Sequence, residues 1–314
     1  MLGYVLRRIL MTIPVMGVVA LFVFLLLRLA PGDPAAVIAG DYATAEDVAR
    51  IRAQLGLSDP IVVQFGTWLG ALLQGDLGTS IFSNKPVAEL IAQRIEPTML
   101  LALSTIVFAI LVAVPLGTLA AFRAGSWIDR CVMLFSVGGF SVPVFVLGYC
   151  LIYVFALNLR WLPVQGYRSP FEHGLGPFLA HITLPTLTLS VIFIALIARM
   201  TRASVIEVLE EDYIRTARAK GQSEVKVLMR HALRNAAVPI VTVIGIGIAL
   251  LIGGVVVTES VYNIPGLGRL VLDAVLARDY PIIQGLILFF SFVYILLNLL
   301  IDLTYTLLDP RIRY

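Results

Sequence analysis

The sequence predicts an all-α membrane protein with six transmembrane helices. Hydrophobic residues make up 59% of the 314 residues and charged residues only 14%, whereas an ordinary soluble domain is about 25% charged. Because a hydrocarbon core of about 30 Å needs roughly 20 mostly apolar residues per helix, long uncharged runs indicate the spans. Such runs lie at about 9–27, 98–122, 131–157, 179–198, 236–258 and 282–301.

The first apolar run is expected to be a retained helix rather than a secretion signal. Arg7 and Arg8 precede it, as basic residues precede a signal sequence. The run is nevertheless longer than the roughly 7–15 residues of a signal's apolar core, and Pro31 follows the only plausible small residue for cleavage.

Two cysteines, Cys131 and Cys150, fall in the predicted third span. A straight helix, which rises about 1.5 Å per residue, would hold them nearly 30 Å apart. We therefore expect two separate, small core residues and no disulfide.

Positive charge predicts that both termini lie in the cytoplasm, because basic residues near span ends are retained on that side. With the amino terminus inside, most of the arginines and lysines fall on the inner side. Besides those of 213–240, the inner cations are Arg7, Arg8, Arg123, Arg130, Arg199, Arg202, Arg311 and Arg313.

The long segment 30–97 would then lie outside and is expected to form short helices packed on the spans. "TAEDVARIRAQLG" begins with Thr44 as a cap and stops at Gly56. "SDPIVVQFGTWLGALLQG" has Asp59 as a cap and a stripe of apolar residues at helical spacing. A third helix, "KPVAELIAQRI", leads into the second span. The predicted division is therefore 1–97 and a five-helix core, 98–314.

The densest positive charge lies between the fourth and fifth spans, in "YIRTARAKGQSEVKVLMRHALRNAAVPI", residues 213–240. A helix is predicted from Asp212 to Lys220, with a left-handed turn at Gly221. A second helix, capped by Ser223, would follow. Its apolar face would carry Val225, Leu228, Met229 and Ala232, and its basic stripe Lys226, Arg230 and Arg234.

Two interpretations of this segment remain open. Its cations could anchor the spans at an anionic membrane surface, as most basic runs beside a membrane do. A simple anchor does not need a glycine-hinged pair of helices over about 30 residues, whereas a docking element for a cytoplasmic partner does. The length of the segment favours docking.

Several motifs resemble those of ABC importer permeases of the dipeptide, oligopeptide, nickel and glutathione branch. "DYIRTARAKG" and "RHALRNAAVP" look like the cytoplasmic coupling loop of that branch; aligned on Gly221, Ala217 and Leu233 also match the general permease motif, whereas Arg215 and Arg234 depart from it. Similar segments follow in order along essentially the whole chain: "PGDP" (31–34), "QLGL" (54–57), "GDLGTS" (75–80), "ARMTRAS" (198–204), "PGLGRL" (265–270), "RDYP" (278–281) and "DPRIRY" (309–314).

The resemblance implies a type I ABC importer permease in a bacterial inner membrane. It further implies a second homologous permease, two cytoplasmic ATPase subunits that bind ATP and Mg, and an extracytoplasmic solute-binding protein, with no nucleic acid partner. The helix before the glycine, within a coupling loop at about 204–235, would dock into an ATPase. Its contact residues would be Tyr213, Ile214, Arg215, Ala217 and Gly221.

Patterns for covalent chemistry are missing from the sequence. No lysine lies in a G-x4-G-K-[ST] loop, so the chain lacks this phosphate-binding motif of an ATPase. The histidines, His173, His181 and His231, are dispersed, which argues against a shared metal site. Neither Ser–His–Asp nor H-E-x-x-H is found. We therefore expect a pore-forming subunit and not an enzyme.

Candidates for a gate or a pathway come from the spans. Glu259 and Asp302 are acids near span ends, where water is expected to reach them. Glu259 is either a helix-end partner or part of an external gate, whereas Asp302 is either a structural or interfacial partner or a proton carrier. Pro143 interrupts the third span, while Gly253 and Gly254 lie in the fifth. Small residues in membrane helices mostly serve tight packing, so the pore role is the second alternative.

The solute is expected to be a short peptide, dipeptide, oligopeptide or glutathione-like, with nickel chelates and oligosaccharides as alternatives. The segment 30–97 could dock the solute-binding protein or pack against the spans. Two other functions stay open: an ion-coupled secondary transporter, which would need an ionisable residue near the midplane and inverted repeats, and a membrane scaffold whose basic loop recruits a cytoplasmic protein.

Overall fold

The structure, a computed structural model, describes residues 2–29, 35–36, 44–54 and 57–308. Over these ranges the chain is helical apart from its loops and an isolated antiparallel bridge between Thr79 and Pro86. The α-helices are α1 (Leu2–Leu29), α2 (Ala45–Gln54), α3 (Ile61–Leu73), α4 (Val87–Phe122), α5 (Trp127–Ser141), α6 (Val144–Leu151), α7 (Pro170–His173), α8 (Leu175–Leu209), α9 (Asp212–Ala219), α10 (Glu224–Lys226), α11 (Leu233–Asn235), α12 (Ala237–Val261), α13 (Leu267–Ala277) and α14 (Tyr280–Leu308). Two π-helices continue α6 and α10: π1 (Ile152–Asn158) and π2 (Val227–Ala232).

Helices long and apolar enough to cross a membrane account for the second, fourth, fifth and sixth predicted spans. In the described part of the chain they are α4, α8, α12 and the stretch Tyr280–Thr304 of α14. Helix α1 contains a shorter apolar stretch, Leu10–Leu26. Six spans and a cytoplasmic location of both termini therefore stay a prediction.

The predicted third span, 131–157, is not one straight helix. Helices α5 and α6–π1 meet at an angle of 104°. Val142 is extended (φ −94°, ψ 122°) and Pro143 takes the N-cap position of α6, because the ring of a proline disfavours helical geometry in the residue before it. The premise of one helix between Cys131 and Cys150 is thus wrong. Both cysteines are free, as expected, but they are exposed rather than in the core.

The chain divides into two compact units, one formed by Met1–Ile95 and Leu270–Leu296, the other by Glu96–Arg269 and Leu297–Tyr314. The predicted division at residue 97 is a different partition and stays a prediction. In the first unit α3 packs on α1, with the Phe24 ring centroid 5.1 Å from that of Phe65 and 5.6 Å from that of Trp68. The predicted helices of segment 44–73 are therefore present, although Pro60, not Asp59, occupies the N-cap position of α3.

A buried carboxylate also organises the first unit. Asp279, only 2% exposed, accepts a hydrogen bond from the hydroxyl of Ser80 at 2.6 Å. The Cβ of Pro281 lies 3.7 Å from where a Cβ on Gly78 would be. The "GDLGTS" and "RDYP" motifs thus meet inside this unit, which supports packing of this part of 30–97 against its own chain.

In the second unit α8 is the central helix. Its buried residues include Leu184, Leu189, Phe193 and Ile197, which belong to one apolar core with residues of α4, α6 and α12. Helix α4 approaches α8 closely at Gly117, where an added Cβ would lie 2.5 Å from the backbone oxygen of Ala198. This core positions both regions described next.

Candidate functional site

The basic segment, residues 212–235, forms the predicted helix, glycine turn and second helix. Helix α9 ends at Ala219, and Gly221 has φ +75° with no atom within 4 Å of the position of a Cβ. The backbone favours glycine here, since residues with a side chain rarely adopt this conformation. Ser223 occupies the N-cap of α10, as predicted, but its side chain makes no capping hydrogen bond.

The predicted apolar face of the second helix is right for Leu228 and Ala232, which pack in a buried cluster, and wrong for its other two residues. Val225 and Met229 are 69% and 56% exposed, whereas Val227 and Ala232 are fully buried. The cause is π2, whose i→i+5 hydrogen bonds bring residues five apart onto one face. An α-helical spacing of three and four therefore includes the exposed Val225 and Met229 and omits the buried Val227.

Helix α9 is anchored to its own chain by part of the predicted contact set. Ile214 and Ala217 are buried in a small cluster with Val227, and Val208 and Leu209 at the end of α8 pack against it. The small side chain of Ala217 thus allows close approach of α9 to this chain. Of the other predicted contact residues, Tyr213 and Arg215 are exposed on α9 and Gly221 is exposed in the turn.

The charges of the basic segment lie at its surface. Arg215 pairs with Asp212 at 3.2 Å, and Arg218 forms a two-pronged pair with Glu224 across the turn at 3.0 and 3.2 Å. The remaining cations, Lys220, Lys226, Arg230 and Arg234, are exposed. The geometry offers a positively charged surface with no buried ionisable group at its centre.

Three hydrogen bonds that sequence reasoning missed link residues of this segment. Asn235 donates from Nδ2 to the hydroxyl of Tyr213 at 2.9 Å and to the backbone oxygen of His231 at 2.8 Å. His231 donates from Nε2 to Oε1 of Gln222, just after the glycine, at 2.9 Å. His231 and Asn235 of "RHALRNA" therefore form hydrogen bonds to the glycine turn and to α9, respectively.

Glu259 is a gate candidate that was expected to be accessible to water, and this expectation is wrong. Its side chain is 0% exposed at the end of α12. Oε1 accepts from the hydroxyl of Thr98 at 2.5 Å and Oε2 from the backbone N–H of Arg269 at 2.9 Å. The Thr98 oxygen accepts in turn from the N–H of Leu267 at 2.7 Å. We call these four residues the Glu259 cluster.

The carboxylate explains the glycines of "PGLGRL". A Cβ on Gly266 would lie 2.0 Å from Glu259 Oε1, and one on Gly268 would lie 2.7 Å from the Cα of Val256. The cluster receives N–H groups from the first residues of α13, where a helix leaves its donors free and favours negative charge. Glu259 thus acts as a distant cap for α13.

Tyr262 extends this polar region to two further helices. Its hydroxyl is 2.7 Å from Oγ1 of Thr188 in α8 and donates to the backbone oxygen of Gly148 in α6 at 3.3 Å. Burial raises the pKa of Tyr262 to about 12, so the hydroxyl keeps its proton. Nearby, burial and the adjacent Glu96 raise the pKa of Tyr167, which donates to that carboxylate at 2.8 Å.

The other path candidates do not join Glu259 in one site. Gly254 packs on α8, because an added Cβ would lie 2.7 Å from Leu189 Cδ1, whereas Gly253 has no atom within 4 Å of that position. Pro143 marks the bend between α5 and α6. Asp302 is half-buried in α14. A pathway role for Pro143, Gly253 and Gly254 stays a prediction, as does the proton-carrying alternative for Asp302.

An ion pair of the "ARMTRAS" motif was also missed. Arg202 contacts Asp129 through two hydrogen bonds, of which the one from Nη2 to Oδ2 is 2.7 Å long. Asp129 is 4% exposed and also accepts from the N–H of Gly125 at 2.9 Å. The pattern Ser126-x-x-Asp129 signals the start of α5, but no local pattern specifies Arg202 as the partner of Asp129.

The fold of this chain is similar to that of one solved transporter chain. A chain of the MetNI methionine ABC transporter, solved in inward-facing conformations, superposes with a TM-score of 0.56 at 17% sequence identity, covering 70% of this chain and 96% of that chain. At this identity the likeness establishes the fold.

The chain belongs to the binding-protein-dependent transport system inner membrane component family. The family model matches residues 113–314, and the model of the family's N-terminal region matches residues 1–102. The probable peptide ABC transporter permease protein y4tP of Sinorhizobium fredii is 57% identical over 99% of both chains. The glutathione transport system permease protein GsiC of Salmonella typhimurium and a putative peptide transport system permease of Brucella abortus are each 46% identical over 100% of both chains.

Proposed function

We propose that this chain is the permease subunit of an ATP-driven importer of short peptides, glutathione-like peptides included. The observation that carries the proposal is 57% identity over 99% of the chain to a protein named a probable peptide ABC transporter permease. Relatives named for glutathione and peptide transport support the same solute class over nickel chelates or oligosaccharides. Family membership argues against an ion-coupled carrier.

In this proposal the chain forms a six-span subunit of a bacterial inner membrane, with both termini in the cytoplasm. It pairs with a second, homologous permease, and the solute passes between the two. A solute-binding protein delivers the peptide from outside. Protease protection of tags tests the topology: a tag at either terminus should be cleaved only from the cytoplasmic side and a tag near residue 45 only from the other side. The reverse pattern would overturn the arrangement.

The basic segment is proposed to contact one of two ATPase subunits, on which ATP and Mg are bound. Its exposed Tyr213 and Arg215 stand on a helix whose other face is fixed to the chain by Ile214 and Ala217. Closure of the ATPases would move α9, and hydrolysis would reverse the movement. This use of the segment explains its two-helix form better than a membrane anchor does.

Purification in mild detergent followed by transport assays tests the function. The chain should copurify with ATPases and a sister permease, and the reconstituted complex with its binding protein should take up a radiolabelled dipeptide or glutathione when ATP is supplied. Uptake that follows an ion gradient in a homodimer without ATPases would refute the proposal. Selective uptake of a nickel chelate would instead correct the solute.

Gly221→Val in the same complex tests the role of the basic segment. A β-branched residue cannot adopt the left-handed turn without strain, so uptake should be lost while insertion into the membrane is retained. Gly221→Asn is the matched control at the same position, because asparagine adopts the left-handed conformation more readily than other residues with a side chain and should retain uptake. Undiminished uptake by Gly221→Val would remove the assignment of the coupling loop.

A further inference from the structure

The basic segment is joined to the beginning of α12 by a directional hydrogen bond. Asn235 is the last residue of α11, and the fully buried Ala236 separates it from α12. Tyr213, its partner, is the second residue of α9. The bond therefore spans 22 residues of sequence and joins the start of one helix to the approach of another.

A second bond restrains the other end of α9. His231 in π2 holds Gln222, the residue that follows the glycine turn. Because Asn235 also donates to the backbone oxygen of His231, the two bonds belong to one connected network. We call the pairs Tyr213–Asn235 and Gln222–His231 the two ties.

Apolar packing alone defines the orientation of α9 poorly. The helix has 8 residues, too few to be stable in isolation, and its underside contributes Ile214 and Ala217 to a small cluster. Apolar burial is not directional, whereas hydrogen bonds require a defined distance and angle. The exposed ion pairs add little, because such pairs are weak and screened by salt.

We propose that Asn235 and His231 are positioning residues, which lock α9 to the start of α12 so that a displacement of α9 is passed to this helix. The inference rests on the proposed function, in which α9 contacts an ATPase. Neither residue needs to touch the partner. With the ties removed, α9 would still bind but would move without displacing α12.

Hydrogen exchange of the assembled complex, with and without ATP, tests this directly. In the wild type, ATP should change amide protection in both 213–219 and 237–243. In Asn235→Ala the change in α9 should persist and that in α12 should fall by about twofold or more, the factor that an exposed hydrogen bond at the low end of the ordinary range represents. The ATP hydrolysed per dipeptide or glutathione taken up should rise by a similar factor.

A double-mutant cycle separates a tie from a direct contact of Tyr213 with the ATPase. If the hydroxyl and the amide act as one unit, Tyr213→Phe with Asn235→Ala should be no worse than either single variant. Ser223→Ala is the matched control, since it removes a hydroxyl that makes no capping bond in the same segment. Asn235→Asp can accept from the Tyr213 hydroxyl and should restore part of the α12 response. It also keeps the proposal testable if Asn235→Ala fails to fold.

The outcomes distinguish the two levels of the proposal. A complex that assembles and responds in α12 equally in wild type, Asn235→Ala and Tyr213→Phe overturns the ties. Additive effects of the two substitutions also overturn them. Absence of ATPases from the purified wild-type complex, or no change of α9 protection with ATP, overturns the proposed function itself.

Discussion

Glycine serves opposite purposes in the Glu259 cluster and in the basic segment. Gly266 has no room for a side chain, because a carboxylate oxygen would lie 2.0 Å from its Cβ. Gly221 has open space around it but a backbone at φ +75°. The first glycine is dictated by a tertiary neighbour and the second by local conformation. The contrast shows that one region is a closed, packed joint and the other an exposed turn held by few contacts.

Polar groups show the same difference. In the Glu259 cluster a fully buried carboxylate accepts from a hydroxyl and a backbone N–H. In the basic segment the Arg218–Glu224 pair has side chains 40% and 49% exposed. Buried groups lose a large desolvation energy when a partner is removed, whereas exposed groups exchange that partner for water. Substitutions in the two regions should therefore differ in size.

Gly266→Ala is expected to have the largest effect. The added methyl group fits only if the Glu259 carboxylate moves. Because that carboxylate is buried and hydrogen-bonded, the cost should lie near the upper end of the roughly 1–3 kcal/mol typical of overpacking. The yield of folded protein and its thermal midpoint in detergent should both fall sharply. Gly253→Ala, which adds the same methyl group to an open helical position, should leave them unchanged or improved. Equal behaviour of the two variants would show that the Glu259 carboxylate can move away at little cost.

Glu259→Ala should be the next most damaging change, at about 2–3 kcal/mol, because it removes the acceptor of the Thr98 hydroxyl and the Arg269 N–H. Thermal unfolding in detergent measures the loss, and Glu259→Gln, which keeps one acceptor oxygen, should lie between Ala and wild type. The double variant Glu259→Ala with Gly266→Ala should be destabilised by less than the sum of the two single effects, since the carboxylate that the new methyl group would meet has been removed. Additivity would contradict the packing described for this joint.

How far the sequence predicts this molecule depends on whether a feature is local. Apolar run length predicts α4, α8, α12 and α14, and the Gly221 turn follows from one residue between two helical patterns. The register of the second helix could not be predicted, because π2 replaces the α-helical period. The bend at Pro143 had a sequence signal, but the uninterrupted apolar run masked it.

The buried polar joints lie beyond sequence reasoning for a physical reason. Glu259 meets Thr98 across 161 residues, and Ser80 meets Asp279 across 199. Nothing in the neighbourhood of either acid along the chain specifies its partner. A glycine that must avoid a distant carboxylate also looks, in the sequence, like any loop glycine. Only the folded arrangement reveals that Gly266 and Glu259 constrain each other.

Gly221→Ala should cause a loss of stability between those expected in the Glu259 cluster and those expected at the exposed ion pair. Its left-handed backbone should cost an alanine about 1–2 kcal/mol, less than Gly266→Ala, since no neighbour is displaced. Gly221→Asn should cost less again, because asparagine visits this conformation more readily. The thermal midpoint should therefore be highest for Gly221→Asn, lower for Gly221→Ala and lowest for Gly266→Ala. A neutral Gly221→Ala would mean that the turn relaxes into another conformation.

Arg218→Gln should be the mildest change, below about 1 kcal/mol, because both partners of this pair are substantially exposed. At 0.15 M ionic strength charges are screened over about 8 Å, so the small difference from wild type should shrink further in high salt. Unfolding midpoints measured at low and high salt check both points. A large loss that salt does not change would show that Arg218 and Glu224 set the geometry of the turn, and the basic segment would then resemble the Glu259 cluster more than its exposure suggests.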